Sequence, residues 1–477
     1  MVSWSRILNP SLLLVPQSVY QDVSTPQQAS VEQYNVIKYL GGSAPYIQRE
    51  GYGISTNFPN TCSIEQVQMI SRHGERFPSK GDGVAFEKVL TKFQNYGEFK
   101  GDLSFLNTYQ YFVTDSDYYE KETSPENSKG PYAGTTNAFR HGVYFANRYK
   151  DLFNGETLPV FTSNSGRCFQ TANFFARGLL GDDYDDDDGD GAGGADGAGG
   201  ADGAGGGTKI KYVVIDEDPK MGANSLTPRY ACKNLENNAN LDLIASYDKT
   251  YLQDILTRWQ VDNPSLDLTL DEVSSLFLWC AFELNVRGQS PFCLLFTNDE
   301  FIKSGYRNDI VNYYQIGQGN NLSTTVGSPM VEASLKLLQE ESDTKTWLFF
   351  THDTDMEFYL SSMGLINPES DIPVDHVPFP NPYNAAEQFP QLQEHIWKVY
   401  CGGQKYIRFI MNDAVVPFPG CSSGPAFMCA LDEFVSIVSD RMSKVSFQEQ
   451  CNASGPLQLT FFWDYKQQEY NAPLIDQ

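Results

Sequence analysis

The chain has no apolar run of the ~18 residues that a membrane-spanning helix needs, so no segment reads as one. It is short of positive charge. Against 60 aspartates and glutamates stand 34 lysines and arginines, a formal net charge of −26 at pH 7. A nucleic acid or an anionic membrane would need a basic face, so this balance excludes both as partners. An anionic substrate would be repelled by the chain as a whole, and the cations that bind it must be gathered in one pocket. Metal-ligand spacing is missing too. The nine cysteines are Cys62, Cys168, Cys232, Cys280, Cys293, Cys401, Cys421, Cys429 and Cys451, with no Cys-x-x-Cys pair and no Cys/His cluster of zinc spacing. The Asp/Gly-rich tract 182–207 matches neither the EF-hand order nor the nonapeptide calcium repeat. No metal is expected.

What is present supports a large folded body. Of 477 residues, 41% are hydrophobic and 13% aromatic, enough for one large α/β domain carrying an insertion. Scattered cysteines in an acidic chain, with sequons at Asn321-Leu322-Ser323 and Asn452-Ala453-Ser454, favour a secreted or cell-wall glycoprotein. An odd cysteine count leaves one thiol over unless a bridge joins two chains. Residues 1–16, with Arg6, Ile7-Leu8 and Leu12-Leu13-Leu14-Val15, read as a signal peptide or its remnant. Residues 17–60 are polar and turn-rich and read as an arm or surface loops, a place for contact with a second subunit in a homo-oligomer. The tract 182–207 holds nine of the acidic residues and only Tyr184 as a large apolar side chain, so it reads as a disordered loop.

The organising stretch is Ser71-Arg72-His73-Gly74-Glu75-Arg76-Phe77-Pro78, which follows a run where Val67 and Met69 alternate with Gln66 and Gln68. That alternation predicts a half-buried strand. Helices are expected at 84–93 and at 136–153, the second burying Phe139, Val143 and Ala146, with His141 on the surface or against a cap. A strand at 158–162 enters Ser163-Asn164-Ser165-Gly166-Arg167 and a helix, an arrangement whose free backbone N–H groups suit an anion. Another strand is expected at 211–216, and helical patterns at 251–259 and 335–338. The run Trp347-Leu348-Phe349-Phe350 reads as a buried strand delivering Thr351-His352-Asp353-Thr354-Asp355 at its carboxyl end. A Pro/Asn-rich loop at 367–390, a strand at 406–411 and a helix at 427–438 complete the chain.

Together these residues can break a phosphate ester. Arg72, Arg76 and Arg167 supply flat, permanently charged forks for the phosphoryl oxygens. His73 can attack phosphorus, and neighbouring arginines lower its pKa so that it stays neutral in acid. His352 can donate to a phosphoryl oxygen, and Asp353 can protonate the leaving oxygen. Whether Asp353 keeps a proton is open, because a bound dianion raises its pKa and the arginines lower it.

The stretch 71–78 together with 351–355 resembles the two signatures of the histidine acid phosphatases, closest to secreted yeast phytases and acid phosphatases. Asn224-Ser225-Leu226-Thr227-Pro228 and Asp413-Ala414-Val415-Val416-Pro417 through Cys421 look like that branch as well. The resemblance implies a large α/β domain with a mixed central sheet, like that of phosphoglycerate mutases, and a smaller, mostly helical cap. On it, 17–78 would be arm and start of the α/β domain, 79–133 part of the cap, 134–181 α/β domain, 208–340 mostly cap, and 341–477 α/β domain. It implies His73 as nucleophile, Asp353 as proton donor, and Arg72, Arg76, Arg167 and His352 as phosphate ligands, with no cofactor. It also implies disulfides Cys62–Cys401, Cys232–Cys451, Cys280–Cys293 and Cys421–Cys429, leaving Cys168 as a buried thiol. Phytate (myo-inositol hexakisphosphate) is the leading substrate, with Lys80 as a cation at the pocket rim. The alternatives are a broad acid phosphatase, a phosphoglycerate-mutase-like transferase, or a non-catalytic secreted glycoprotein.

Overall fold

The stretch leading into Arg72 is a strand, but one buried on both faces. The computed structural model describes residues 36–46, 49, 51–57, 59–153, 155–181, 184, 207–236, 238–388 and 393–475. The 1–16 segment and the 182–207 tract, apart from Tyr184 and Gly207, lie outside these residues. The strands are β1 Cys62–Arg72, β2 Thr157–Ser163, β3 Lys209–Ile215, β4 Thr346–Thr351, β5 Gln393–Cys401, β6 Gln404–Met411, β7 Ala414–Val416 and β8 Cys429–Ala430. The longer helices are α1 Lys80–Tyr96, α2 Gly134–Tyr149, α3 Gly166–Leu180, α4 Thr250–Asp262, α5 Leu270–Arg287, α6 Asn298–Gln315, α7 Ser323–Gln339, α8 Asp353–Met363 and α9 Leu431–Met442.

One mixed sheet runs in the order β3-β2-β4-β1-β5-β6-β7, with β8 on β6. β3, β2, β4 and β1 are parallel, and β5 joins β1 antiparallel. Helices flank the sheet, so the face of β1 that alternation assigns to solvent is covered. Gln66 and Gln68 donate to the Leu337 and Ser334 carbonyls of α7 at 3.0 and 3.1 Å, and Gln68 Oε1 accepts from the Ser334 hydroxyl, which pairs the buried amide N–H groups with α7.

α2 and α3 cross at backbone contact. A Cβ on Gly142 would lie 2.0 Å from the Phe175 carbonyl oxygen, and one on Gly178 1.9 Å from that of Phe139. This approach inverts the expected face of α2. Ala138, His141, Gly142, Phe145 and Tyr149 are buried, whereas Phe139 and Val143 are 40% and 37% exposed. Small residues make the contact here, so counting large apolar side chains points the helix the wrong way. His141 is thus interior, its ring 4.8 Å from that of Phe175 and stacked on His395 at 5.8 Å. Gly178→Ala is expected to cost about 3 kcal/mol or more in denaturant unfolding, since neither backbone can yield.

α5 and α6 start at full capping boxes, Thr269 with Glu272 and Thr297 with Glu300. Those boxes are visible in the sequence, but α5 is apolar on most sides and shows little periodicity. Its Trp279 and Phe282 meet Phe86 of α1 at 5.0 and 6.3 Å between ring centres. The helix expected at 427–438 begins later, at Leu431, because Ala426 and Phe427 take left-handed φ of 52° and 62° and Cys429–Ala430 pairs with β6. β5, unmarked between the Pro/Asn-rich loop and β6, is the strand joining β1 to the second half of the sheet. All four implied disulfides are formed and Cys168 is free and buried. Part of the 17–60 arm folds onto its own chain: Leu40 and Ala44 are core residues.

Candidate active site

Four parallel strands end on one edge of the sheet, and each hands its next residues to the same place. Beyond β1 come His73 and Arg76, beyond β2 Arg167, beyond β3 Glu217, and beyond β4 His352 and Asp353. Parallel order places these carboxyl ends side by side, where open α/β sheets bind ligands. The His73 N–H donates to the Thr351 carbonyl at 3.1 Å and ties the ends of β1 and β4 together.

Arg72 is 3% exposed; its Nη2 lies 3.0 Å from Asp353 Oδ2 and its Nη1 donates to the Gly42 carbonyl at 2.7 Å. The N-terminal segment is therefore part of the site wall. His73 Nδ1 lies 2.9 Å from the Gly74 carbonyl oxygen, so Nδ1 carries the proton and Nε2 the lone pair. Burial pulls the His73 pKa well down, and Arg72, Arg167 and Arg76 add to it. The arginine effect foreseen in the sequence is present, second to desolvation. Position 74 must be glycine, because a Cβ there would come 1.9 Å from Glu122 Oε1 and 2.9 Å from the Gly134 backbone.

Arg76 lies over the Phe282 ring at 5.3 Å, and burial with repulsion from Arg167 pulls its pKa only to about 10, so it stays charged. Arg167, in the first turn of α3, places Nη1 3.6 Å from Glu120 Oε2 and Nη2 3.4 Å from His352 Nδ1. Glu120 holds a left-handed φ of 71° and accepts the Lys80 N–H at 3.0 Å, which puts exposed Lys80 at the edge of the site. Asp353 opens α8 and accepts the Thr354 N–H at 2.9 Å. Burial works to raise its pKa, but Arg72 and Arg76 outweigh it and hold the carboxyl well below the usual range. In the free site the arginines win, and Asp353 is ionised.

Four groups here escaped the sequence reading. Glu217 bonds His352 Nε2 at 2.7 Å, Arg229 Nε pairs with Asp355 at 3.4 Å, and Glu120 holds Arg167. Of these only Glu217 left a usable signal, directly after the strand expected at 211–216, just as other site groups follow their strands. Asp355 was quoted only as part of a motif. Among the described residues, the one group at metal-ligand spacing is Cys421, Cys429 and Glu433, whose two sulfurs form a disulfide.

Several groups around the site are buried as neutral acids. Burial pushes Glu75 and Asp355 up to about 7 and Glu357 up to about 8, and raises Glu122. Unfolded, these carboxyls ionise near pH 4, so their contribution is complete below that and is lost as pH rises through about 7 to 8. Buried His395, pulled down to about 3, acts oppositely, as do His73 and His141. Their contribution is full above about pH 6.5 and is lost as pH falls towards their folded values. The two sets offset each other between about pH 4 and 6.5. A melting-temperature series should show a plateau there, with a fall between about pH 6.5 and 8; a continued rise to pH 8 would contradict the assignment.

The comparisons with known proteins agree with this geometry. The family description Histidine phosphatase superfamily (branch 2) matches residues 63–412. The phytase PHO112 of Candida albicans is 51% identical over 99% of this chain and 100% of its own length. The probable acid phosphatase DIA3 of Saccharomyces cerevisiae is 37% identical over 99% of this chain and 97% of its own. Among solved structures, the phytase from D. castellii superposes with a TM-score of 0.88 at 48% identity, over 99% of this chain and 100% of that one.

Proposed function

Because the chain belongs to branch 2 of the histidine phosphatase superfamily, as an acid phosphatase of the phytase type, we propose that it hydrolyses phytate and other phosphate monoesters through a phosphohistidine on His73. The observation that carries the mechanism is a buried, neutral His73 among Arg72, Arg76 and Arg167, with its Nδ1 engaged and Nε2 left to attack. Nε2 bonds phosphorus as the ester P–O bond breaks, and the departing alkoxide takes a proton from Asp353. Water then attacks phosphorus, giving its proton to the Asp353 carboxylate as the P–N bond breaks and its electron pair returns to Nε2, which releases orthophosphate and neutral His73. The arginines hold the three equatorial oxygens through both steps.

The ionised state of Asp353 in the free site says where the first proton comes from. A phosphomonoester loses its second proton near pH 6, so below that it enters carrying one. Its oxygens draw on Arg72, loosening the 3.0 Å ion pair that keeps Asp353 ionised, and the proton passes to the carboxylate. Acid activity then reflects a proton that the substrate brings in.

Phytate carries several phosphates, and exposed Lys80 at the site edge supports a preference for it. Comparing kcat/KM on phytate and on a small aryl phosphate near pH 5 tests this. A higher value for phytate is expected, and a strong preference for the aryl ester would leave a broad acid phosphatase. We read 79–133 and much of 208–340, where α1 and α5 meet through Phe86 and Trp279, as the helical cap over the site. Four disulfides and exposed Asn321 and Asn452 fit a secreted, glycosylated protein. No helix among the described residues is long and apolar enough to cross a membrane.

A further inference from the structure

The His352 ring is held at both nitrogens. Nε2 lies 2.7 Å from Glu217 Oε1, while Nδ1 lies 3.4 Å from Arg167 Nη2 and 3.8 Å from the Cys168 sulfur. Glu217 is itself fixed, since its backbone N–H donates to the Asn164 side chain at 3.0 Å and that side chain also donates to the Pro473 carbonyl at 2.9 Å. A neutral imidazole has one N–H, and the nitrogen beside a carboxylate must carry it. Nδ1 is then a lone pair facing a guanidinium. A lone pair cannot bind a phosphoryl oxygen, which is an acceptor too. For His352 to donate to phosphate through Nδ1, both ring nitrogens must bear protons.

We infer that Glu217 is a positioning residue for phosphoryl transfer, one that fixes the His352 proton on Nε2 and lets Nδ1 take up a second proton when a phosphoryl group occupies the arginine cradle. This rests on the reading of the site under Proposed function. The groups facing His352 are Arg167 and Cys168 from α3, Glu217 beyond β3, Arg229, His73 beyond β1 at 5.8 Å between ring centres, and Asp353 on its own helix. In the free site burial and the arginines keep the ring neutral, and the Glu217 carboxylate works against them. A phosphoryl group offsets the arginine charge, and one proton from solvent then makes His352 a further cation at the oxygens, neutralised behind by Glu217. The device resembles a carboxylate that orients a histidine and stabilises its imidazolium in acyl transfer. Here the stabilised cation binds the transferring group.

The test is histidine-selective 15N NMR near pH 5.5 with inorganic phosphate added; five histidines give few signals, and His352→Asn assigns the one in question. In the wild-type enzyme, phosphate should convert Nδ1 of His352 from a lone pair to an N–H. In Glu217→Gln, the ring should stay neutral, kcat should fall about 10- to 100-fold with a smaller change in KM, and the alkaline limb of the pH profile should move. Glu217→Asp should recover part of the loss. A wild-type His352 that remains neutral with phosphate bound overturns the inference without any variant having to fold. So does a Glu217→Gln enzyme with an unchanged kcat and pH profile beside a crippled His352→Asn. If His352→Asn itself turns over normally, the reading of the site falls, and this inference with it.

Discussion

His73→Ala is expected to lower kcat by roughly four to six orders of magnitude and to abolish any trapped phosphoenzyme. The reason is that nothing nearby can replace the imidazole. The Cys168 thiol is buried, pushed up to about 12 chiefly by that burial, and donates to the Thr351 carbonyl at 3.2 Å, so it offers no thiolate. The Ser71 hydroxyl donates to the Arg72 carbonyl at 3.0 Å. Affinity for inorganic phosphate should change little, since the cradle of Arg72, Arg76 and Arg167 remains and a neutral ring adds no charge. Rapid quenching with labelled substrate, followed by digestion under alkaline conditions that preserve phosphohistidine, reads the result. Label retained on the alanine variant would show that another residue is the nucleophile.

Asp353→Asn should separate the two roles of that side chain by leaving group. On esters whose alkoxide is a poor leaving group, phytate included, kcat should fall roughly 10²- to 10⁴-fold, because the departing oxygen then has no acid. An activated aryl phosphate needs little protonation and should lose far less. The asparagine oxygen can still accept from Thr354, so α8 keeps its first turn. Arg72 loses its partner at 3.0 Å and should bind phosphate more tightly, seen as a lower inhibition constant for orthophosphate. Equal losses on both kinds of ester would place the proton donor elsewhere.

These two residues were legible because each sits in a contiguous motif after a strand whose hydrophobic run is plain. The mixed sheet, the disulfide pairs and the order of the main elements followed from the same motifs and the family they resemble. Partners contributed by distant segments were not legible. Glu120 lies in a turn and Gly42 and Arg229 in short 3-10 segments, none with a periodic pattern, and only folding brings them to Arg167, Arg72 and Asp355. Packing direction was lost wherever polarity misled. Gln66 and Gln68 look like a wet face and are buried by hydrogen bonds to α7. The small residues of α2 look like its weak side and form its tightest contact.

The position of β1 between β4 and β5 has a consequence for the life of the chain before it is an enzyme. β1 is made first among the strands, yet Cys401 on its antiparallel neighbour follows Cys62 by 339 positions. At translation rates of about 5 to 20 residues per second, the edge of β1 that β5 will cover waits on the order of 20 to 70 s for its partner, and the β4 edge only somewhat less. An open strand rich in Val, Met and Ile is a site for association with other nascent chains. Gln66 and Gln68, which in the finished protein hydrogen-bond to α7, keep one face of that strand hydrated while it waits. His73, one residue beyond this strand, cannot meet His352 and Asp353 until β4 has been made.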